Sequence, residues 1–383
     1  MANSPVAIIG GGLAGLYAAY RLHSQGVPFH LLEARDRLGG RILTADAQGR
    51  ASMDGFDLGP SWFWPSMHPE MATVVRALGL AIFPQHEDGD VLVERQSHRP
   101  PQRFEGYRQE PRSMRFVGGT GALVRALAER LPSGSLHLGT QVTALRLCDG
   151  SVTLSYRGTD GVIREMAAEQ VIAAVPPRLL DATIAFEPAV EPALRVRWRD
   201  MATWMAPHAK FFAVYDRPFW REAGLSGMAQ SMVGPLGEIH DASTASGAAA
   251  LFGFVGLDAA HRAAAGRDLL IQACIDQLAR LFGADAAQPA ATLLQDWAAD
   301  PLTATADDRR GGVHPMPQRQ PWVFGEWETR LTLAGSETSP SVPGYLAGAL
   351  DAGERAAANV IARLTRESVA PAMTDLSPAD IPI

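Results

Sequence analysis

Two sets of residues in this chain of 383 could do chemistry. The first is Gly10, Gly12 and Gly15, spaced G-x-G-x-x-G within Val6-Ala-Ile-Ile-Gly-Gly-Gly-Leu-Ala-Gly15, with Glu33 further on. Gly10 permits a tight turn, Gly12 lets the backbone approach a pyrophosphate, and Gly15 lets a helix pack closely on a strand. The helix that opens there offers free N–H groups and a partial positive charge to that pyrophosphate. Glu33 can accept hydrogen bonds from ribose hydroxyls. This is dinucleotide-binding chemistry. The second set is a single residue, Lys210, the only lysine among 34 Lys and Arg residues. Arginine-biased codon usage would replace lysine wherever a permanent cation serves. A lysine that persists is a candidate for what a guanidinium cannot do, which is to lose its proton when buried. Between the two sets, Gly39-Gly40-Arg41 suits either a loop folded against phosphate, with Arg41 as a charged donor, or a surface turn. Asp57-Leu-Gly-Pro-Ser-Trp62-Phe-Trp64 places three large aromatics in a turn-rich segment, as core plugs or pocket walls.

The elements that must position these residues follow from periodicity. Val6 to Ile9 reads as a short buried parallel strand. Leu13, Leu16, Tyr17 and Leu22 recur at helical intervals, and a second strand, Phe29 to Leu32, ends at Glu33, which completes a βαβ unit. A helix is expected from His68 to Leu78, with Pro69 near its first position. Residues 80–115 lose helical periodicity and look like short strands and a polar excursion, and the Arg-rich run from Arg95 to Arg115 reads as a solvated loop. An amphipathic helix follows a Gly-rich entry between Phe116 and Leu131. Leu136 to Leu145 leads into a strand, Val152 to Tyr156 and Val162 to Met166 form a hairpin, and Gln170 to Val175 is a buried strand that stops at Pro176 and Pro177.

The middle third has a different signature: a helix near Pro192 to Met201, a strand from Ala209 to Tyr215, more sheet at 226–234 and 248–255, and helices near 258–264 and 267–282. The chain returns at Leu293 to Trp297. A strand then runs from Arg330 to Gly335 and Glu337, and Gly344 opens the last long helix. Small residues on its early turns let it lie close to a planar ligand, or simply pack on a sheet.

Bulk properties narrow the class. Hydrophobic content of 47% and charged content of 20% are those of a globular protein. A net charge of −7 disfavours nucleic acid or an acidic membrane as partner. The two cysteines, Cys148 and Cys274, sit in no metal-ligand or disulfide pattern. The chain enters its first strand almost at once, no apolar run has membrane-spanning length, and the last residues look like a loose tail. A cytoplasmic location is expected.

The run Leu32-Glu-Ala-Arg-Asp-Arg-Leu-Gly-Gly-Arg41 closely resembles the second fingerprint of the flavin-containing amine oxidases, the monoamine oxidase and polyamine oxidase relatives. Asp57-Leu-Gly-Pro-Ser-Trp62, the Gly-rich entry after Phe116, Gln170-Val-Ile-Ala-Ala-Val-Pro-Pro177 and the segment from Arg330 to Ala357 resemble further conserved segments, over about three quarters of the chain. The resemblance implies non-covalent FAD rather than NAD. It implies an α/β fold: a Rossmann-type FAD-binding domain with an inserted α+β substrate domain on a mixed or antiparallel sheet. The expected division is 1–79, 116–181 and 295–365 for FAD, 80–115 and 182–294 for substrate, and a tail at 366–383.

Carried onto this sequence, the family's cofactor contacts fall on Gly10, Gly12, Leu13, Ala14, Gly15, Glu33, Ala34, Arg35, Gly39, Gly40, Arg41, Gly59, Pro60, Ser61, Trp62, Val142, Ala174, Trp297, Gly335, Glu337, Gly344, Tyr345 and Leu346. Lys210 matches the family's lysine beside flavin N5, in the pattern that ends in Pro218-Phe219-Trp220. Tyr345 matches one tyrosine of the aromatic cage facing the flavin. The second cage residue has no counterpart in Leu302 to Pro317, which contains no tyrosine, tryptophan or phenylalanine, so the cage is either half built or completed by Trp297, Trp62 or Trp204. The covalent-flavin cysteine of the mitochondrial enzymes is also missing.

An abundance of large apolar side chains, at Trp62, Trp64, Met201, Trp204 and Met205, favours a lipophilic or aromatic primary amine, with O2 as oxidant, H2O2 as product and a substrate pocket of Trp62, Phe63, Trp204 and Phe211. An arginine clamp for an amino-acid carboxylate stays open, as does a homodimer. Two other classes share the ends of the chain. They are an FAD-dependent desaturase or dehydrogenase of the protoporphyrinogen or carotenoid type, and a non-catalytic flavoprotein.

Overall fold

The computed structural model describes residues 6–148 and 150–369. Its first layer is a five-stranded sheet in the order Leu331–Leu333, Gln170–Ala173, Val6–Ile9, Phe29–Leu32, Leu136–His137. All neighbours are parallel, with Val6 opposite both Gln170 and Phe29. The central strands are buried along their whole length and mostly apolar, because both faces are covered. On one face lie the first helix, Leu13–Ser24, and the last, Leu346–Val369. A side chain at Gly353 would come within 2.5 Å of the Ala14 carbonyl, so the glycine lets the two helices touch backbone to backbone. Their buried residues form one core with Ile8, Leu31 and Ile172.

A four-stranded sheet of Ile163–Ala168, Ser151–Arg157, Gln141–Cys148 and Ala185–Glu187 includes the expected hairpin. A seven-stranded sheet runs in the order Ala291–Asp296, Ala209–Tyr215, Ala249–Val255, Leu236–Asp241, Leu225–Ser231, Asp90–Glu94, Gln102–Phe104. It is antiparallel except where Leu225–Ser231 runs beside Asp90–Glu94. The α/β class with a mixed second sheet is therefore as expected.

Side-chain alternation along Ala209–Tyr215 sorts its two faces. Ala209, Phe211, Ala213 and Tyr215 join a core with the helix Arg267–Phe282, while Phe212 and Val214 join Phe56 and Leu58.

Four local readings need correction. The run Arg95 to Arg115 is not wholly a solvated loop. It contributes the strands Gln102–Phe104 and Met114–Phe116, and Arg115 is buried, donating to the Ala242 and Ser243 carbonyls. The two prolines do not merely stop a strand. Pro177 is the first residue of the helix Pro177–Thr183, where a missing N–H costs nothing. The strand Leu236–Asp241 escapes sequence reading because Pro235 and Gly237 look like turn residues. The last helix continues to Val369, past the expected start of the tail, and 370–383 lie outside the described residues.

Candidate active site

A cavity of about 350 Å³ lies between the parallel sheet and the seven-stranded sheet. At its deep end are Gly10, Gly12, Leu13 and Ala14 at the start of the first helix, and Glu33 and Arg35 after the second strand. The three motif glycines divide the work as their spacing suggests. A Cβ on Gly15 would lie 2.0 Å from the Gly10 carbonyl oxygen, so Gly15 permits helix and strand to touch; it does not line the cavity. A Cβ on Gly12 meets nothing within 4 Å, because that position faces the cavity. Gly12 caps the helix without a side-chain bond, and no acid stands in the first turn. That cradle fits a diphosphate: it offers helix N-terminal N–H groups and open space, with no acid in the helix's first turn.

Glu33, buried, accepts from the Gly11 N–H at 2.6 Å and the Arg35 N–H at 2.8 Å, which fixes its carboxylate at the cavity wall. Ala34 and Val142 do not line this cavity; they line a smaller adjoining one of about 70 Å³ that shares Gly10, Glu33, Arg35, Val175 and Leu302 with it.

Gly39, Gly40, Arg41, Gly59, Pro60, Ser61, Trp62, Ala174, Trp297, Gly335, Gly344, Tyr345 and Leu346 all line the main cavity. Arg41 is not a free phosphate donor. Its Nη1 donates to Glu337 Oε1 at 2.6 Å and to the Trp204 carbonyl at 2.9 Å, and its Nη2 to Ser336 Oγ at 3.1 Å and Glu337 Oε2 at 3.2 Å. Glu337 is correspondingly withdrawn from the cavity; it is wholly buried and committed to Arg41. The pair joins the phosphate-side loop to the final strand and to the loop that carries Trp204.

Lys210 projects from the seven-stranded sheet into the cavity and is 1% exposed. Its ammonium nitrogen donates to Asp57 O at 3.1 Å, Gly59 O at 2.8 Å and Ser61 Oγ at 2.9 Å. It also sits 4.4 Å from the Phe252 ring centroid, 5.3 Å from Phe254 and 5.6 Å from Phe212. Burial lowers its pKa to about 7, against the pull of nearby Asp57. Asp57 is itself buried. Its Oδ1 accepts from Thr44 and Thr120, burial pushes its carboxyl pKa up, and Oδ2 has no partner among the described residues. The result is a lysine beside the cavity that can stand neutral near physiological pH, as the composition argument expects.

Two expected pocket residues face elsewhere. Phe211 points to the opposite side of the sheet from Lys210, as neighbours along a strand must, and packs under the helix Arg267–Phe282. Phe63 stacks on Phe116 at 4.7 Å inside the core of the parallel sheet. Trp64 and Met205, as expected of the substrate side, join Trp62 and Trp204 on the wall, and Phe254, which the sequence reading does not single out, completes it. Phe254 is two residues from Phe252 on a strand, so period-2 spacing carries the signal once the facing side is known. Met205 is the only non-glycine at positive φ (67°) among the described residues. Tyr345, 37% exposed, has Trp64 edge-on at 6.1 Å and His314 at 4.8 Å, and His314 in turn lies 4.5 Å from Trp204. A search of 302–317 for tyrosine, tryptophan or phenylalanine passes over this imidazole. His314 packs against both wall rings without lining the cavity itself. Both cysteines lie away from the cavity.

Comparison with known proteins agrees with this geometry. Residues 101–361 match the model of the flavin-containing amine oxidoreductase family, and residues 8–78 match that of an NAD(P)-binding Rossmann-like domain. AofH of Mycobacterium tuberculosis, assigned as a flavin-containing monoamine oxidase, is 27% identical over 94% of this chain and 97% of its own. An L-amino acid dehydrogenase of Synechocystis is 28% identical over 67% of this chain and 53% of its own. The cyclohexylamine oxidase from Brevibacterium oxydans IH-35A shares the fold, with a TM-score of 0.77 over 95% of this chain and 100% of that one at 22% identity. The chain belongs to the flavin-containing amine oxidoreductase family. It is an amine oxidoreductase, and FAD is its cofactor.

Proposed function

We propose that the chain oxidises a primary amine on a lipophilic or aromatic body to the imine, which water converts to an aldehyde or ketone and ammonia. O2 is reduced to H2O2. Bound FAD would supply the two-electron chemistry, taking hydrogen from the carbon beside nitrogen and passing electrons to O2. Gly12, Glu33 and the first helix's N-terminus would hold its diphosphate and ribose, and Tyr345 and Leu346 would meet its ring. Residues 1–79, 116–181 and 295–365 would form the FAD-binding region, and 80–115 with 182–294 the substrate region.

The observation that carries this reading is Lys210. It is buried, lines the cavity and is able to be neutral, so it can hold or give a proton at Nζ without a permanent cation repelling the amine. Aromatic walls at Trp62, Trp64, Trp204, Phe254 and Tyr345 exclude water and suit an apolar amine. No nucleophile is required of the protein.

A panel of amines, read by peroxide release and by anaerobic bleaching of the flavin, tests the proposal. Bleaching by lipophilic primary amines with stoichiometric peroxide in air is expected. A flavoprotein inert to every amine would belong to one of the two rival classes. In the same assay Lys210→Met is expected to slow reoxidation of the reduced flavin by O2 at least tenfold; reoxidation at the parent rate would remove Lys210 from that step.

A further inference from the structure

Lys210 lines the cavity, yet its N–H groups are all committed inside the protein. An ammonium has three N–H groups, and three oxygens stand within hydrogen-bond distance of this one: Asp57 O at 3.1 Å, Gly59 O at 2.8 Å and Ser61 Oγ at 2.9 Å. With Cε as the fourth substituent, no N–H is left to face the cavity. The rings of Phe212, Phe252 and Phe254 stand over the same nitrogen. A proton that passes between Nζ and the cavity therefore has to use one of the three oxygens.

Those oxygens are not equivalent. The two backbone carbonyls accept hydrogen bonds and have no proton to pass on, whereas a hydroxyl accepts and donates at once. Ser61 is buried and lines the cavity between Pro60 and Trp62. Within the protein its own proton has one weak use, the Asp57 carbonyl at 3.5 Å, beyond the ordinary range for a hydroxyl donor. The charged groups around Nζ offer no other route. Asp57 meets it through the backbone oxygen, while its Oδ1 accepts from Thr44 Oγ1 and from the N–H and Oγ1 of Thr120. Arg115 donates to the Ala242 and Ser243 carbonyls.

The hydroxyl also lets one cage house two protonation states. An ammonium donates to Ser61 Oγ. A neutral amine keeps two N–H groups for the carbonyls, and Ser61 can turn its O–H into the lone pair. Neither carbonyl can make that reversal. Burial brings the lysine pKa to about 7, so both states are populated near neutrality.

We infer that the Ser61 hydroxyl relays protons between Lys210 Nζ and the cavity. The inference rests on the amine oxidase reading for where the proton goes. Oxidation of an amine to an imine releases two electrons and two protons, and reduction of O2 to H2O2 consumes the same. Lys210 stores one of those protons between the two halves of the reaction. An N–H bond at Nζ breaks as an O–H bond forms at Ser61 Oγ, and the proton that Ser61 carried leaves for the reduced oxygen in the cavity. The electrons come from the amine through bound FAD. The return step runs the other way: a proton released by the amine enters at Oγ, and the ammonium is restored.

Because the chain has a single lysine, protein grown on lysine isotopically labelled at Cε gives one resonance, which reports this amine alone. That signal is followed through its titration in FAD-loaded parent, Ser61→Thr and Ser61→Val, the two variants being alike in size and different in the hydroxyl. At the midpoint the parent and Ser61→Thr are expected to show one averaged signal. Ser61→Val should show separate signals for the amine and the ammonium, because protons no longer exchange quickly. In parallel, flavin reduced with dithionite is mixed with O2, a measurement that needs no amine. Ser61→Val should reoxidise at least about tenfold more slowly than the parent, and Ser61→Thr close to the parent rate. Adding Ser61→Val to Lys210→Met should slow that variant no further, as a single path requires. Ser61→Ala is read in the same way if the larger side chains disturb the fold. An averaged signal in Ser61→Val would overturn the inference, as would parent-rate reoxidation in Ser61→Val while Lys210→Met is slow. Separate signals in Ser61→Val, with Lys210→Met reoxidising at the parent rate, would instead count against the O2 step and leave the relay in place.

Discussion

At the scale of single residues, the chemistry turns on how Lys210 is housed. Three oxygen acceptors and three aromatic faces would suit an ammonium, yet complete burial outweighs them and lowers the pKa from 10.5 to about 7. Between those two values the unfolded chain holds a proton that the fold does not. The lysine's cost to folding is therefore full below about pH 7 and fades as pH rises toward 10.5. Comparing Lys210→Met with the parent by denaturant midpoint should show this. From pH 7 to 10 the difference is expected to move in the parent's favour, by on the order of 4 kcal/mol at most. A difference that stays flat would mean that Lys210 titrates alike in both states. The residue was visible in the sequence as the one lysine. Its neighbours were less so, because strand alternation gives two faces and nothing local says which of Phe211 and Phe212 looks toward the cavity. Arg41 and Glu337 were visible as a candidate phosphate donor and a cofactor acid in the family pattern. That they spend their charge on each other is a fact of tertiary structure, since 295 residues of chain separate them.

At the scale of elements, the strand–helix–strand unit from Val6 to Leu32 was legible nearly to the residue, because turn chemistry, period and end acid agree. The helix Arg267–Phe282 was read to its true ends, since an apolar stripe runs between two glycines, Gly266 and Gly283. Leu236–Asp241 was missed where local turn residues outweighed a strand that exists only by pairing with its neighbours. The glycine-rich turn offers a paired test. Gly12→Ala meets empty space, and its backbone, φ −73° and ψ 179°, is open to any residue. That variant should unfold at the parent's denaturant midpoint without cofactor but bind FAD at least tenfold more weakly. Gly15→Ala collides with the Gly10 carbonyl and should lower the midpoint of the apoprotein as well. Equal loss of stability in both variants would mean that the cradle is ordinary packing.

At the scale of the whole molecule, the cavity is closed by parts from every region of the chain: the Gly10 turn, the Asp57–Ser61 loop, the sheet strand with Lys210, and the start of the last helix. A ligand that spans these parts binds the folded state alone. FAD at about a hundred times its Kd should therefore raise unfolding stability by about 2.7 kcal/mol. With neither cysteine at the cavity, acid precipitation should leave the flavin in the supernatant. Yellow protein in the pellet would show a covalent link through another side chain. No helix among the described residues is long and apolar enough to cross a membrane.

The last helix bears on how this protein is made. Leu346–Val369 covers the first helix, and Leu331–Leu333 supplies an edge of the first sheet, so residues 6–32 wait for residues 331–369 before their packing is complete. Until that last helix is made, the flank of Leu13–Ser24 that it covers stands bare. Expression should therefore depend on holding factors in the cell, and clipping the terminal helix should send the product to inclusion bodies even though every cofactor-binding glycine is intact.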